Sequence, residues 1–381
     1  MVKASDEVLY LQNVLSVEQI QEYLDFGILV VPDILSPQEV SNALQGLNET
    51  LLQYGIDAND LETTGHNLAS LSSTNGSGGV LDIFYEDWTM YIASHPKLFQ
   101  VTTELWEKAY CHNGQKKEEL TESDIFKWHP YGSFNLNRGF MYLDRIGYRL
   151  PTALAEKLGS ELCSKLGERT GKRKGSRSKA LQRSLTPHLD CCPETFLSEN
   201  QPKWRPIQCF VSLTTNLEHN TGGFEAAPGF HREFETWACN RPPGHIMKEV
   251  NGMKTRTAIP APCVGQYTHI RPVEDAWIMQ RIKHVPVPAG AAVFWDNRIP
   301  HANSYRNDSS EPRVVVYTSF LPDVAINHHF VENQKQKYLN NVNPCDQWID
   351  TDKATNKSLD SQKDVTALSI LCRKLLGLED W

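Results

Sequence analysis

The runs "IQCFVSLTT" (207–215), "HVPVPAGAAVFW" (284–295) and "RVVVYTSFL" (313–321) constrain the chain most. Each is short, apolar and rich in β-branched or aromatic residues, and the stretches are punctuated by Gly, Pro and Asn. Strands apolar on both sides need cover on both sides. The pattern therefore predicts a sandwich or barrel whose faces are covered by other elements. Helical spacing flanks this block. Ser16 with Gln19 forms a capping-box pattern, Ile20, Tyr23 and Leu24 follow at helical intervals, and Gly27 can end the helix. "ILVVPDIL" then reads as a short buried strand. Ser36, Pro37 and Glu39 open a helix that carries Val40, Leu44, Leu47 and Leu51 on one side. "SLSSTNGSGG" (70–79) is a loop, residues 87–110 are helical, and near the C-terminus Val365, Leu368, Leu371 and Leu375 share a helical face. Helices, then strands, then helices predict an α+β fold in one domain: 1–120 helical support, 121–325 β core, 326–381 C-terminal helices.

With 40 % hydrophobic residues, 381 residues can bury one large core or two modest ones. A net charge of −8 weighs against nucleic acid as a partner of the whole surface. No apolar run approaches the roughly 18 residues of a membrane span, and the N-terminus lacks the features of a signal or transit peptide. A cytoplasmic location is expected, and the nine cysteines, without metal-type pair spacing, read as reduced thiols. One segment stands apart: Lys165 to Arg183 holds eight Lys or Arg against the single acid Glu168. It is expected to form a basic loop inserted in the β core, solvated or serving as a lid that recruits phosphate or carboxylate.

Chemistry concentrates in "TPHLDCCPE" (186–194). In an extended segment His188 and Asp190 point to one face while Leu189 turns away, so both can reach one ion. A third donor is available at His301, which ends a strand-like run, and Arg313 opens the next strand twelve positions later. An antiparallel hairpin would return Arg313 alongside His301. Two His and one carboxylate on one face of a metal is the ligand set of non-haem Fe(II) oxygenases. An Arg beside such a site can grip a carboxylate bidentately. His231 is expected to support a turn and Trp295 to lie in the core. Tyr142 and Arg149, on a stretch that also carries Arg138 and Arg145, are candidates for contact with an anionic substrate.

The sequence resembles the phytanoyl-CoA dioxygenase family of Fe(II)/2-oxoglutarate-dependent oxygenases. "YLDFGILVVPDILSPQEV" resembles its N-terminal signature and "PHLD" its first ligand motif. "GGFEAAPGFH" resembles its Pro-Gly-x-His turn, and "VFWDNRIPHANSYRNDSSEPRVVV" its second ligand and Arg strand. The resemblance implies a double-stranded β-helix, or jelly roll, flanked by helices. It implies Fe(II), 2-oxoglutarate and O2 as cofactor and cosubstrates, with His188, Asp190 and His301 as ligands and catalytic centre. Arg313 becomes the 2-oxoglutarate anchor, helped by Gln208 and Asn303. Leu189 stands where the family often has a polar residue and Phe230 where Ser is common. With the basic insertion, these departures point to a substrate other than phytanoyl-CoA. With an acidic residue at Asp190, where related halogenases carry a small one, hydroxylation is the default reading, with desaturation or demethylation as variants. The implied partner is a small or medium organic molecule, not a membrane. The alternatives are a jelly-roll metal-binding or sensor protein without turnover, a cupin-like Zn or Mn enzyme, and an oxygenase acting on protein or nucleic acid.

Overall fold

A computed structural model of the chain describes residues 13–111, 115–170, 180–197, 201–241, 244–250, 253–259, 267–344 and 365–381. Among the described residues there are thirteen strands: β1 (Ile28–Val31), β2 (Val80–Leu81), β3 (Gly139–Arg149), β4 (His188–Leu189), β5 (Ile207–Ser212), β6 (Phe224–Ala226), β7 (Gly244–Val250), β8 (Met253–Ile259), β9 (Thr268–His269), β10 (Lys283–His284), β11 (Ala292–Asp296), β12 (His301–Asn303) and β13 (Arg313–Pro322). They form a six-stranded sheet ordered β1-β11-β5-β13-β3-β2, a five-stranded sheet ordered β10-β6-β12-β4-β9, and a separate β7-β8 hairpin. All pairings between these strands are antiparallel. The fold is thus a mixture of helices and antiparallel sheets.

Alternation along the central strands separates two cores. From the large sheet, Ile28, Phe210, Val293, Trp295 and Val315 pack with Leu189, Phe224 and Ala226 of the small sheet. Their sequence neighbours Leu29, Cys209, Val211, Phe294, Val314 and Val316 face the other way, onto helix residues Leu47, Leu51, Leu98, Leu105 and Trp106. A period of two in strands buried on both sides produces this division.

The first helix, Val17–Phe26, carries the predicted capping box, with the Ser16 and Gln19 side chains reciprocally bonded to backbone N–H groups. It ends at Gly27, whose φ of 67° is left-handed. A Cβ there would also lie 2.6 Å from the His231 ring, so the site needs glycine twice over. The second helix, Pro37–Gln53, starts at the Ser36/Glu39 box.

Several expectations are corrected. The helical stretch at 87–110 is two helices, Asp87–Ala93 and Pro96–Ala109, because a helix cannot run through His95 into Pro96. The basic insertion is not wholly loop. Helix Thr152–Thr170 takes in its first six residues, Gln182 is buried with its side chain bonded to Leu150 N–H and Tyr148 O, and Arg183 donates to Ser77 Oγ. Residues 171–179 lie outside the described residues. Near the C-terminus the shared apolar face is split by Ser369, which caps a short helix at Ile370–Leu375. Cys192 is disulfide-bonded, contrary to the expectation of nine thiols.

A buried side chain ties helix Ala325–Leu339 to the loop before β5. Asn327, fully buried, accepts from Trp204 N–H at 2.7 Å and donates to Trp204 O at 3.0 Å and Pro322 O at 2.8 Å. Asn327→Ala strands these backbone groups, and we expect a loss of about 2–3 kcal/mol in denaturant unfolding.

Candidate metal centre

His188 and His301 are direct cross-strand partners on β4 and β12. Opposed residues of an antiparallel pair put their side chains on one face, with Cβ atoms about 5 Å apart, and the two rings meet with centroids 4.4 Å apart. Leu189 turns to the opposite face and is buried in the core. Asp190, one residue beyond the strand, comes back to the histidine face. Its Oδ1 lies 3.5 Å from His188 Nε2 and its Oδ2 3.4 Å from His301 Nε2. One candidate ligand atom from each residue falls within 4.8 Å of the others, and no other such cluster of three His, Cys, Asp or Glu occurs among the described residues.

The tautomers follow from the backbone. His188 Nδ1 lies 2.7 Å from Thr186 O and His301 Nδ1 lies 3.0 Å from Ile299 O. A carbonyl only accepts, so each Nδ1 carries a proton and each Nε2 is the ring nitrogen left facing Asp190. An N–H bonded to a carbonyl on the far side of a ligating ring is the usual support of a metal-bound histidine. Burial, and then the neighbouring His301, push the His188 imidazole down to about 4. Burial works against the Asp190 charge, but His188 and His301 hold its carboxyl well below the usual range. A neutral His188 imidazole and an ionised Asp190 carboxylate are the protonation states in which these groups bind a divalent cation. Both histidines are nearly sealed, whereas one third of the Asp190 side chain is open. Trp295 and Phe224 pack on His301, with centroids 5.2 and 5.8 Å away, and Tyr267 stacks on His188 at 4.8 Å.

Arg313 arrives by a route other than the predicted hairpin. β12 and β13 belong to different sheets, and β13 pairs with β3 and β5. The polar connection 304–312 crosses between the sheets, tied down where Asn307 donates to Arg149 O and its N–H bonds Thr152 Oγ1. Arg313 nevertheless faces β12 across the interior: its Nη1 donates to Asn303 Oδ1 at 3.4 Å and its guanidinium lies 5.0 Å from the Phe210 ring. It is buried, with no carboxylate at ion-pair distance among the described residues.

Gln208 and Asn303 separate. Asn303 touches Arg313, while Gln208 donates to Asn297. Arg149 is the direct strand partner of Arg313. It is 1 % exposed, burial lowers it to about 10, and its Nε and Nη1 have no hydrogen-bond partner. Tyr142 pairs with Ser319 on the same two strands. A step of two positions along β13 (316 to 318) matches a step of three along β3 (146 to 143), and this bulge restores the alternation, so Tyr142 and Arg149, seven positions apart, both face inward. Arg145 faces away and pairs with Asp82, and Arg138 is exposed before β3. His231 supports a turn as expected: Nε2 donates to Leu24 O, and burial pushes the ring down to about 4.

No family model matches the chain, and no curated protein matches it in sequence. Solved structures do. The GlcNAc-inducible GIG2 protein (DUF1479) of Candida albicans superposes with a TM-score of 0.65 at 14 % identity, covering 97 % of this chain and 78 % of that one. A candidate oxidoreductase from Salmonella typhimurium LT2 gives 0.59 at 13 %, covering 95 % and 83 %. A hypothetical protein of Escherichia coli gives 0.57 at 13 %, covering 95 % and 82 %. The fold is shared with these proteins. At such identities the likeness says nothing about residues, and the histidine–aspartate–histidine geometry stands on this chain's own side chains.

Two features of the site had weak sequence signals. The carbonyls of Thr186 and Ile299 are backbone groups and leave no residue signature. Lys203 and Arg205, two cations abutting an apolar strand in "KWRPIQCF", are not among the candidates drawn from the sequence. Both are buried, with Arg205 lying 4.2 Å over the Tyr142 ring.

Proposed function

We propose that the chain is an Fe(II)- and 2-oxoglutarate-dependent oxygenase with a jelly-roll core, hydroxylating a small or medium organic molecule with release of succinate and CO2. The observation that carries this reading is the convergence of His188 Nε2, His301 Nε2 and Asp190 on one point, with a buried, carboxylate-free Arg313 on the facing sheet. His188, Asp190 and His301 would hold Fe(II), which with 2-oxoglutarate supplies the power to activate O2 for attack on a C–H bond. Arg313, steadied by Asn303, would bind the far carboxylate of 2-oxoglutarate. Trp295, Phe224 and Tyr267 keep water from the backs of the ligand rings, and Thr186 and Ile299 hold the rings in their binding tautomers. Asp190 retains a carboxylate at the third ligand position, which favours hydroxylation over halogenation. The Salmonella fold relative described as a candidate oxidoreductase agrees with this class of chemistry.

The test is succinate formation from 2-oxoglutarate in air with Fe(II) and ascorbate. Wild-type protein should form succinate, and Arg313→Ala should raise the 2-oxoglutarate KM at least roughly thirtyfold, the equivalent of losing about 2 kcal/mol from a buried charged partner. Metal binding without any succinate would replace this reading by that of a sensor or a cupin-like protein.

A further inference from the structure

The inward face of β3 and β13 carries a second cationic group that the metal ligands and Arg313 do not use. Arg205 is 6 % exposed, and its Nε has no hydrogen-bond partner. Its Nη1 makes only long contacts, 3.5 Å to Ser319 Oγ and 3.7 Å to Asp144 Oδ2. Its guanidinium lies over the Tyr142 ring, and Lys203 Nζ sits 5.0 Å from the same ring and 4.6 Å from that of Phe330. Among the described residues Asp144 is the one carboxylate at ion-pair distance from Arg205, and it also lies 3.9 Å from Arg145. The Tyr142 ring holds the Arg205 guanidinium in place without neutralising it.

This group lies beside the metal ligands. Cys191, next to Asp190, points its thiol at Asn297 O, and Asn297 N–H donates to Pro206 O, next to Arg205. The segment that carries Arg205, a buried and incompletely paired cation, thus runs beside the one that carries Asp190, a third of whose side chain is open. Keeping such a cation out of water costs several kcal/mol unless a partner meets it. A ligand can be that partner.

We propose that Arg205, with Lys203 and Tyr142, forms the substrate subsite and receives an oxyanion, carboxylate or phosphate, of the molecule to be oxidised. This deepens the oxygenase reading and rests on it for the chemistry, while the anion site stands on its own geometry. Arg205 offers two parallel N–H donors to an oxyanion, Lys203 adds charge, and Tyr142 holds the guanidinium plane. A substrate gripped there is fixed at one end, which aims a C–H bond toward the ligand cluster. Arg149, the other candidate for contact with an anionic substrate, is the strand partner of Arg313.

The test is calorimetric titration of the metal-free full chain with methyl phosphate and, separately, with propionate. Wild type, Arg205→Gln, Arg205→Lys and Arg313→Gln are compared. The tighter of the two probes identifies the anion. Its affinity should fall at least tenfold in Arg205→Gln, less in Arg205→Lys, and further in Arg205→Gln than in Arg313→Gln. Arg205→Lys keeps the charge and gives a second variant should the glutamine form fold poorly. Absence of binding in wild type, or a loss that follows Arg313 and not Arg205, overturns the proposal. Titration of wild type with Mn(II) and then 2-oxoglutarate runs in parallel, and its failure counts against the oxygenase reading alone.

Discussion

Replacing His301 by alanine is expected to abolish divalent metal binding while leaving the chain folded. The ring is one of three donors, and no fourth His, Cys, Asp or Glu joins the cluster among the described residues. Removing even a supporting group behind a ligand costs 10–100-fold in metal affinity, and removing the ligand itself should cost more. The stability loss should be about 2–4 kcal/mol, since the ring packs against Trp295 and Phe224 in a buried site. That is survivable for a protein with a typical margin of about 5–15 kcal/mol. With redox-inert Mn(II) at a hundred times its Kd, wild type should gain about 2.7 kcal/mol in unfolding free energy. His301→Ala and His188→Ala should gain nothing. His269 is the informative control: it is the strand partner of His188 on the other side, yet exposed and outside the cluster. His269→Ala should bind Mn(II) as wild type does, and a loss there would show that the ligand set has been misassigned.

Asp296→Ala should be the most destabilising single change near the site, by about 3–5 kcal/mol. Asp296 is buried on the helix-facing side of β11 and accepts three bonds from Arg298, two from the guanidinium and one from the backbone N–H, and a fourth from the Tyr110 hydroxyl. Tyr110 in turn meets the Tyr23 hydroxyl of the first helix. Burial opposes the Asp296 charge, but Arg298 holds the carboxyl below its ordinary value. Without the carboxylate, Arg298 is left charged, buried and short of acceptors apart from Phe126 O. Arg298 also begins the turn whose Ile299 carbonyl orients His301. Metal affinity should therefore weaken in the variant even at temperatures where it stays folded. Asp296→Ala combined with Arg298→Met should recover much of the stability, because the unpaired cation is gone. Urea midpoints of the single and double variants, read with the Mn(II) titration, separate the two effects.

What the sequence made legible follows from how local each signal is. Capping boxes at Ser16 and Ser36, the Gly27 stop and the i, i+2 arrangement of His188 and Asp190 depend on a few adjacent residues, and all appear in the structure. The pairing of His188 with His301 was reachable from ligand chemistry, although 113 positions separate them. The hairpin drawn from His301 to Arg313 was not sound. Proximity across two packed sheets and proximity across a turn give the same spacing in sequence, and only the sheet order distinguishes them. Helix Thr152–Thr170 was hidden because its basic end continues into a Gly- and Ser-containing stretch that reads as loop. The inward orientation of both Tyr142 and Arg149 depends on a bulge within β3, which leaves no clear residue signature.

The central claim is that these three ligands and Arg313 together hold Fe(II) and 2-oxoglutarate. The direct measurement is anaerobic addition of Fe(II) and then 2-oxoglutarate to metal-free protein, watching for the visible iron-to-oxoglutarate charge-transfer absorption. The account predicts a band in wild type that is weakened in Arg313→Ala and absent in His188→Ala. A wild-type protein that demonstrably binds Fe(II) and shows no band on saturation with 2-oxoglutarate would contradict it.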